Sequence, residues 1–171
     1  VTCMACHGAQ AEGKEAFNTP RLAGQDAWYL KRQLVKFRKG VRGYHSQDIG
    51  GMQMAPMAKI LPNEQAIDNV ISHIGTLKPE KPADKSPGDT AKGQGLFAVC
   101  VTCHGDKGQG NSTQKGPRRV GQHSWYLVRQ INNFRAGIRG KHESDDEGKL
   151  VHPIALTLVD EHSINDVVAY I

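Results

Sequence analysis

Cys3-Met4-Ala5-Cys6-His7-Gly8 near the start of the chain and Cys100-Val101-Thr102-Cys103-His104-Gly105 past its middle are two copies of one pattern, and together they use all four cysteines. C-x-x-C-H is the spacing of covalent haem c attachment. Two thiols a helical turn apart add across the two vinyl groups of one porphyrin, and the histidine that follows stands under the iron as its proximal ligand. Other chemistries fit less well. A redox dithiol does not require histidine next, and paired zinc knuckles usually lie about 15–20 residues apart, whereas most of a domain separates these two. The expectation is two covalently bound c-type haems, with Cys3, Cys6, Cys100 and Cys103 as thioether donors and His7 and His104 on the irons.

Laid on itself at an offset of 97, which puts Cys3 on Cys100, the chain matches without a gap at 29 of 74 overlapping positions. The matches include Pro20/Pro117, Arg21/Arg118, Gly24-Gln25/Gly121-Gln122, Trp28-Tyr29-Leu30/Trp125-Tyr126-Leu127, Arg32-Gln33/Arg129-Gln130, Arg42-Gly43/Arg139-Gly140 and Pro56/Pro153. This is a duplicated domain. Lys78 to Gly88, charged and rich in proline, reads as the linker. The chain therefore divides into 1–77 (domain 1), 78–88 (linker) and 89–171 (domain 2).

Each copy predicts the same succession of elements. A Gly-rich loop (8–24; 105–121) follows the motif. A helix then runs from about Asp26 to Lys39, with Leu30, Leu34 and Phe37 on one face, or from about Ser124 to Ala136. A loop (40–62; 137–159) comes next. A closing helix, capped by Asn63 or Asp160, carries the apolar stripe Ile67, Val70, Ile71, Ile74 or Ile164, Val167, Val168, Ile171. The fold class is all-α. Trp28 and Trp125 are expected in the core against the haem or motif helix. His73, His123 and His162, which have no counterpart in the other copy, are expected at the surface.

At 171 residues, halves of about 85 have thin cores that a bonded haem staples. The formal charge of +5 does not indicate nucleic acid, because two haems bring four propionates and no basic run is interleaved with stacking aromatics. The basic cluster Lys31, Arg32, Lys36, Arg38, Lys39 and Arg42 reads as a solvated face, or as a docking patch for an acidic redox partner. No stretch reaches the roughly 18–20 apolar residues of a membrane span, which leaves peripheral membrane association open. The second motif is preceded by a helical run, Gly93 to Val99, whereas Val1 stands just before Cys3. The first repeat thus looks truncated, with an export signal lost ahead of it. Haem attachment of this type implies export, here to the periplasm.

An electron-carrying haem takes Met or His as its second axial ligand. Met52, Met54 and Met57 are the candidates in the first half, and residue type alone does not choose among them. The tandem C-x-x-C-H-G motifs, Pro20-Arg21-Leu22-Ala23-Gly24-Gln25, the Tyr-Leu helix, and Met54-x-x-Met57 ahead of Leu61-x-x-Glu64 closely resemble the cytochrome c4 family, over nearly the whole chain. The resemblance implies two class I cytochrome c domains related by a pseudo-two-fold axis, and periplasmic electron transfer from a quinol-oxidising complex or other donor to a terminal oxidase or reductase. It also implies Met54 as ligand, since the family's Met stands seven residues before a Leu that matches Leu61.

The second half departs here. Val151 occupies the Met54 position, and no methionine follows Met57. His152 is the expected substitute, brought to the iron by a one-residue shift in an irregular loop; His142 and an open iron are the alternatives. A bis-His second haem would have a lower potential than a His/Met first haem, so electrons would run from the second domain to the first. Arg42 and Arg139 read equally as propionate ligands or as surface arginines, and Pro20 and Pro117 as carbonyl partners of His7 and His104. The expected protein is an electron carrier with no reaction of its own; the alternative is a haem enzyme using an open second iron.

Overall fold

In the computed structural model, which describes residues 2–171, each half lays out the same helices in the same order. They are α1 (Thr2–His7), α2 (Ala27–Arg38), α3 (Ile49–Lys59) and α4 (Glu64–Thr76), then α5 (Thr90–His104), α6 (Ser124–Arg135), α7 (Asp146–Ala155) and α8 (Glu161–Tyr170). A single 3₁₀ turn, Glu15–Phe17, lies in the first Gly-rich loop. No helix or strand forms between Thr76 and Thr90. No described helix is long and apolar enough to cross a membrane.

The closing helices form as their caps predict. Asn63 Oδ1 accepts from the Ala66 N–H at 2.9 Å. Asp160 and Ser163 make a reciprocal capping box, the Ser163 N–H donating to Asp160 at 2.7 Å. Their apolar stripes build the cores: Ile67, Ile71 and Ile74 pack on Leu30, and Ile164, Val167 and Val168 on Leu127, Phe97 and Leu158. Ile67 and Ile164 are fully buried, each worth about 1.5–3 kcal/mol of transfer free energy. In the second half α5 crosses α8 closely, because Gly93 lies where a Cβ would strike the Asp166 carbonyl.

The loops expected over 40–62 and 137–159 contain helices instead, α3 and α7. Both carry glycine in the first turn, Gly50-Gly51 or Gly148, and an internal proline, Pro56 or Pro153, residues that ordinarily mark loops. What starts each helix is an aspartate: Asp48 accepts from the Gly51 N–H at 3.0 Å and Asp145 from the Gly148 N–H at 3.2 Å. Gly51 and Gly148 are required there, since a Cβ would collide with the capping carboxylate. Gly43 (φ +75°) and Gly140 (φ +79°) then press against the Gly51 and Gly148 carbonyls, again with no room for a side chain. The N-terminus of each helix is thereby fixed in place.

The two halves meet about a pseudo-two-fold axis. Gln25 Nε2 donates to the Arg118 carbonyl at 3.0 Å, and Gln122 Nε2 donates to the Arg21 carbonyl at 2.8 Å. Arg42, buried, donates to Gln33 of its own domain at 2.8 Å and to the Tyr126 hydroxyl across the interface at 3.1 Å. Arg139, also buried, donates to Gln130 at 2.5 Å. The surface reading of these two arginines is therefore replaced by an interface one. An ion cluster between the halves has no symmetric counterpart. Lys36 Nζ lies 2.5 Å from both Asp145 Oδ1 and Glu147 Oε2, tying α2 to the start of α7, and Arg32 joins Glu147 at 2.9 Å. Burial would raise the Glu147 carboxyl, but the Lys36 hydrogen bond and the Lys36 and Arg32 charges bring it below its ordinary value.

Three further expectations change. Lys31 pairs with Asp68 at 2.7 Å, so Lys31, Arg32, Lys36 and Arg42 of the basic cluster are engaged within the molecule and do not form a free docking face. His123 is half-buried, because Asp84 of the linker accepts from its Nδ1 at 2.8 Å and its Nε2 meets the Glu12 carbonyl at 2.9 Å. Trp28 and Trp125 are half-buried, each with an arginine, Arg32 or Arg129, 5.1 Å over its ring. His73 and His162 are exposed as expected.

Candidate haem sites

Both motifs end helices, α1 and α5, and the chain then turns back at Gly8 or Gly105. His7 Nδ1 pairs with the Pro20 carbonyl at 2.9 Å and His104 Nδ1 with the Pro117 carbonyl at 2.8 Å. A carbonyl can only accept, so Nδ1 carries the proton and Nε2 keeps its lone pair, the tautomer an iron ligand needs. Burial lowers the His7 imidazole. Burial and then the Arg119 charge lower His104 to about 4. Both rings are thus held neutral. The loop also grips the motif directly. Thr19 Oγ1 donates to the Cys6 carbonyl at 2.6 Å, and at the matching place in the second half Gly116 lets the backbone abut the Cys103 carbonyl, where a Cβ has no space.

Around the second motif lies a cavity of about 260 Å³ whose wall includes Cys100, Cys103, His104, Phe97, Leu127 and Phe134. Tyr29, Gln33, Arg119 and Arg139 carry that wall to the domain interface. Cations are in surplus there: burial raises the Tyr29 hydroxyl, yet Arg119, Arg139 and Arg42 together pull it down to about 7. The buried Nε atoms of Arg42 and Arg139 have no protein partner. An apolar slot with two thiols and a neutral imidazole at one side, and the unpaired Arg139 Nε donor at an edge, fits a porphyrin with its propionates. Among the described residues no three His, Cys, Asp or Glu side chains gather as metal ligands, so the two C-x-x-C pairs do not assemble into one zinc site.

On the distal side the halves differ. Of the three methionines, Met54 is half-buried on α3, while Met52 and Met57 are exposed at 46% and 38%. Its counterpart Val151 lies on the second cavity's wall with Leu150 and Ile154. His152 is not on that wall; its Nδ1 pairs with the Phe134 carbonyl at 2.5 Å. The physical reason is α7 itself. A one-residue shift in a helix is a rotation of about 100°, so the residue after the inward Val151 faces elsewhere. His142 and His45 make the same local turn, each Nδ1 accepting from the N–H two residues on, at 3.1 Å and 3.2 Å.

Lys36, Tyr29, Gln33 and Gln130 are site residues that sequence reasoning missed. The matched pairs Tyr29/Tyr126 and Gln33/Gln130 held the usable signal, a polar residue repeated on an otherwise apolar helix face.

Helical tandem halves that each present a haem c motif under a proline-oriented histidine define a di-haem c-type cytochrome. The cytochrome c family profile matches residues 1–78 and 90–171. The chain is 29% identical over 168 residues to cytochrome c4 of Azotobacter vinelandii, covering 92% of this chain and 78% of that protein. It is 32% identical over 166 residues to the thiosulfate dehydrogenase electron acceptor of Stutzerimonas stutzeri (strain A1501), covering 91% and 73%. The solved cytochrome c4 of Acidithiobacillus ferrooxidans superimposes with a TM-score of 0.77 at 26% identity, covering 98% of this chain and 95% of that one. The chain belongs to the cytochrome c4 family, electron carriers with two c-type haems.

Proposed function

We propose that this chain relays single electrons in the periplasm between a dehydrogenase or quinol-oxidising donor and a terminal oxidase or reductase, without chemistry of its own. The observation that carries this reading is the doubled proximal site, in which His7 and His104 are set by the same carbonyl bond at 2.9 Å and 2.8 Å on either side of one hydrogen-bonded interface. The haems supply the Fe(III)/Fe(II) couple. Cys3, Cys6, His7 and Met54 would hold the first haem, and Cys100, Cys103 and His104 the second. Domains 1–77 and 89–171 act as one relay through linker 78–88. The buried guanidiniums of Arg42 and Arg139, whose Nε atoms have no protein partner, would supply positive charge to haem propionates. The relative called a thiosulfate dehydrogenase electron acceptor supports a sulfur-compound dehydrogenase as one donor.

The test is stopped-flow reduction of the oxidised holoprotein by a thiosulfate-oxidising dehydrogenase, followed by mixing with a purified terminal oxidase. Reduction of both haems and reoxidation by the oxidase are expected. A protein that exchanges electrons with neither, yet turns over a small molecule by itself, would refute the carrier reading.

A further inference from the structure

The second half repeats the proximal apparatus of the first and replaces its distal one. Where Met54 offers sulfur, α7 turns Leu150, Val151 and Ile154 to the cavity, and none of these can bind iron. The Nδ1 bond of His152 to the Phe134 carbonyl would by itself suit a ligand, since His7 and His104 make the same bond. What separates His152 from them is the place of its ring, off the cavity wall.

The helix is not free to slip and bring His152 inward. Asp145 caps it at Gly148, and Lys36 holds that same carboxylate at 2.5 Å. Gly148 lies against that carboxylate, so moving Glu147 or Lys149 into its place would drive a Cβ into the Asp145 cap. At the other end Ala155 and Leu158 are buried, both at 5% exposure. The register of α7 is pinned at both ends.

We propose that the second haem iron has His104 as its only protein ligand, and that the Leu150–Val151–Ile154 wall makes its open position a site for a small uncharged diatomic, carbon monoxide or nitric oxide. This rests on the proposed attachment of the second haem at Cys100, Cys103 and His104. A ligand bound there would donate its lone pair to Fe(II), with no electron or proton transferred. Distal polarity and hydrogen-bond donors decide which ligands a haem takes. The aliphatic residues Leu150, Val151 and Ile154 offer no donor to an oxygen adduct.

The experiment uses the holoprotein. Haem per chain, measured by the pyridine haemochrome, comes first; a value below two would mean that the attachment reading itself has failed. With two haems present, titration of the reduced protein with carbon monoxide should bind one molecule per chain. Near-infrared magnetic circular dichroism of the oxidised protein should show one His/Met haem and one high-spin haem. Val151→Met should abolish carbon monoxide binding and produce a second His/Met signal, whereas His152→Ala should leave stoichiometry and spectra unchanged. No carbon monoxide binding, or a bis-His signal that His152→Ala removes, would overturn the proposal even if the Val151 variant does not fold.

Discussion

Replacing Lys36 by methionine removes the centre of the ion cluster that ties the first domain to α7, leaving only the Arg32–Glu147 pair. The Lys36 side chain is 14% exposed and Asp145 8%. Removing one partner of a buried pair costs about 3–5 kcal/mol, because the other charge stays buried without a counter-ion. Here Glu147 is 29% exposed and keeps Arg32 at 2.9 Å, and Asp145 keeps the Gly148 N–H, which brings the loss to about 2–3 kcal/mol. For a chain of this size about 1 kcal/mol shifts Tm by roughly 2–4 °C, so Lys36→Met should melt roughly 5–10 °C lower by circular dichroism. Lys31→Met is the control. Its pair with Asp68, 39% and 45% exposed, should contribute little, because solvent screens it. Screening separates them further, since about 0.5 M salt erases an exposed pair and leaves a buried one largely intact. Equal melting of the two variants, or a Lys36 effect that disappears in salt, would refute the argument.

Met54→Ala should raise carbon monoxide uptake of the reduced protein from one to two per chain and lower the potential of the first haem by on the order of 100 mV, within the ~0.8 V that axial ligands span; unchanged uptake would remove Met54 as ligand. In a redox titration of the wild type the two haems should separate, the higher potential belonging to the first, because the thioether favours Fe(II); coincident potentials would refute this. Burial would raise the Asp84 carboxyl, but its bonds to His123 and the Ser124 N–H hold it below its ordinary value. A depressed carboxyl stabilises above its unfolded pKa of about 3.9 and loses that contribution as pH falls through its folded one. Wild type should therefore exceed Asp84→Asn in stability at neutral pH, with the gap closing below about pH 4, as read by denaturant unfolding. Gly116→Ala should cut covalent haem from two per chain towards one, measured by haemochrome, because its methyl group would displace the Cys103 carbonyl.

The elements legible in sequence are those whose signals are local. The C-x-x-C-H spacing marked both proximal sites, and the Asn63 and Asp160 caps with their apolar stripes placed α4 and α8. Helices α3 and α7 were obscured because glycine and proline at Gly50-Gly51, Pro56, Gly148 and Pro153 carry the loop signature, while their starting signal, an aspartate reaching back to a glycine N–H, resembles an ordinary turn. That misreading made a one-residue shift to His152 look inexpensive, whereas in a helix such a shift is a rotation of about 100°. Lys36 and His123 were placed in solvent because their partners, Asp145 and Asp84, lie 109 and 39 residues away, and no local pattern encodes such a contact.

The reciprocal bonds Gln25 to Arg118 and Gln122 to Arg21 are the self-complementary contacts of an isologous dimer, with one patch meeting its own copy across a two-fold axis. A single ancestral domain bearing that patch would already have paired with itself before its gene was duplicated and joined. Covalent fusion frees each copy from the demand of serving both sides at once. Lys36 and Glu147 show what that freedom permitted, because their counterparts are Asn133 and Gly50, and a homodimer could not have charged one side alone.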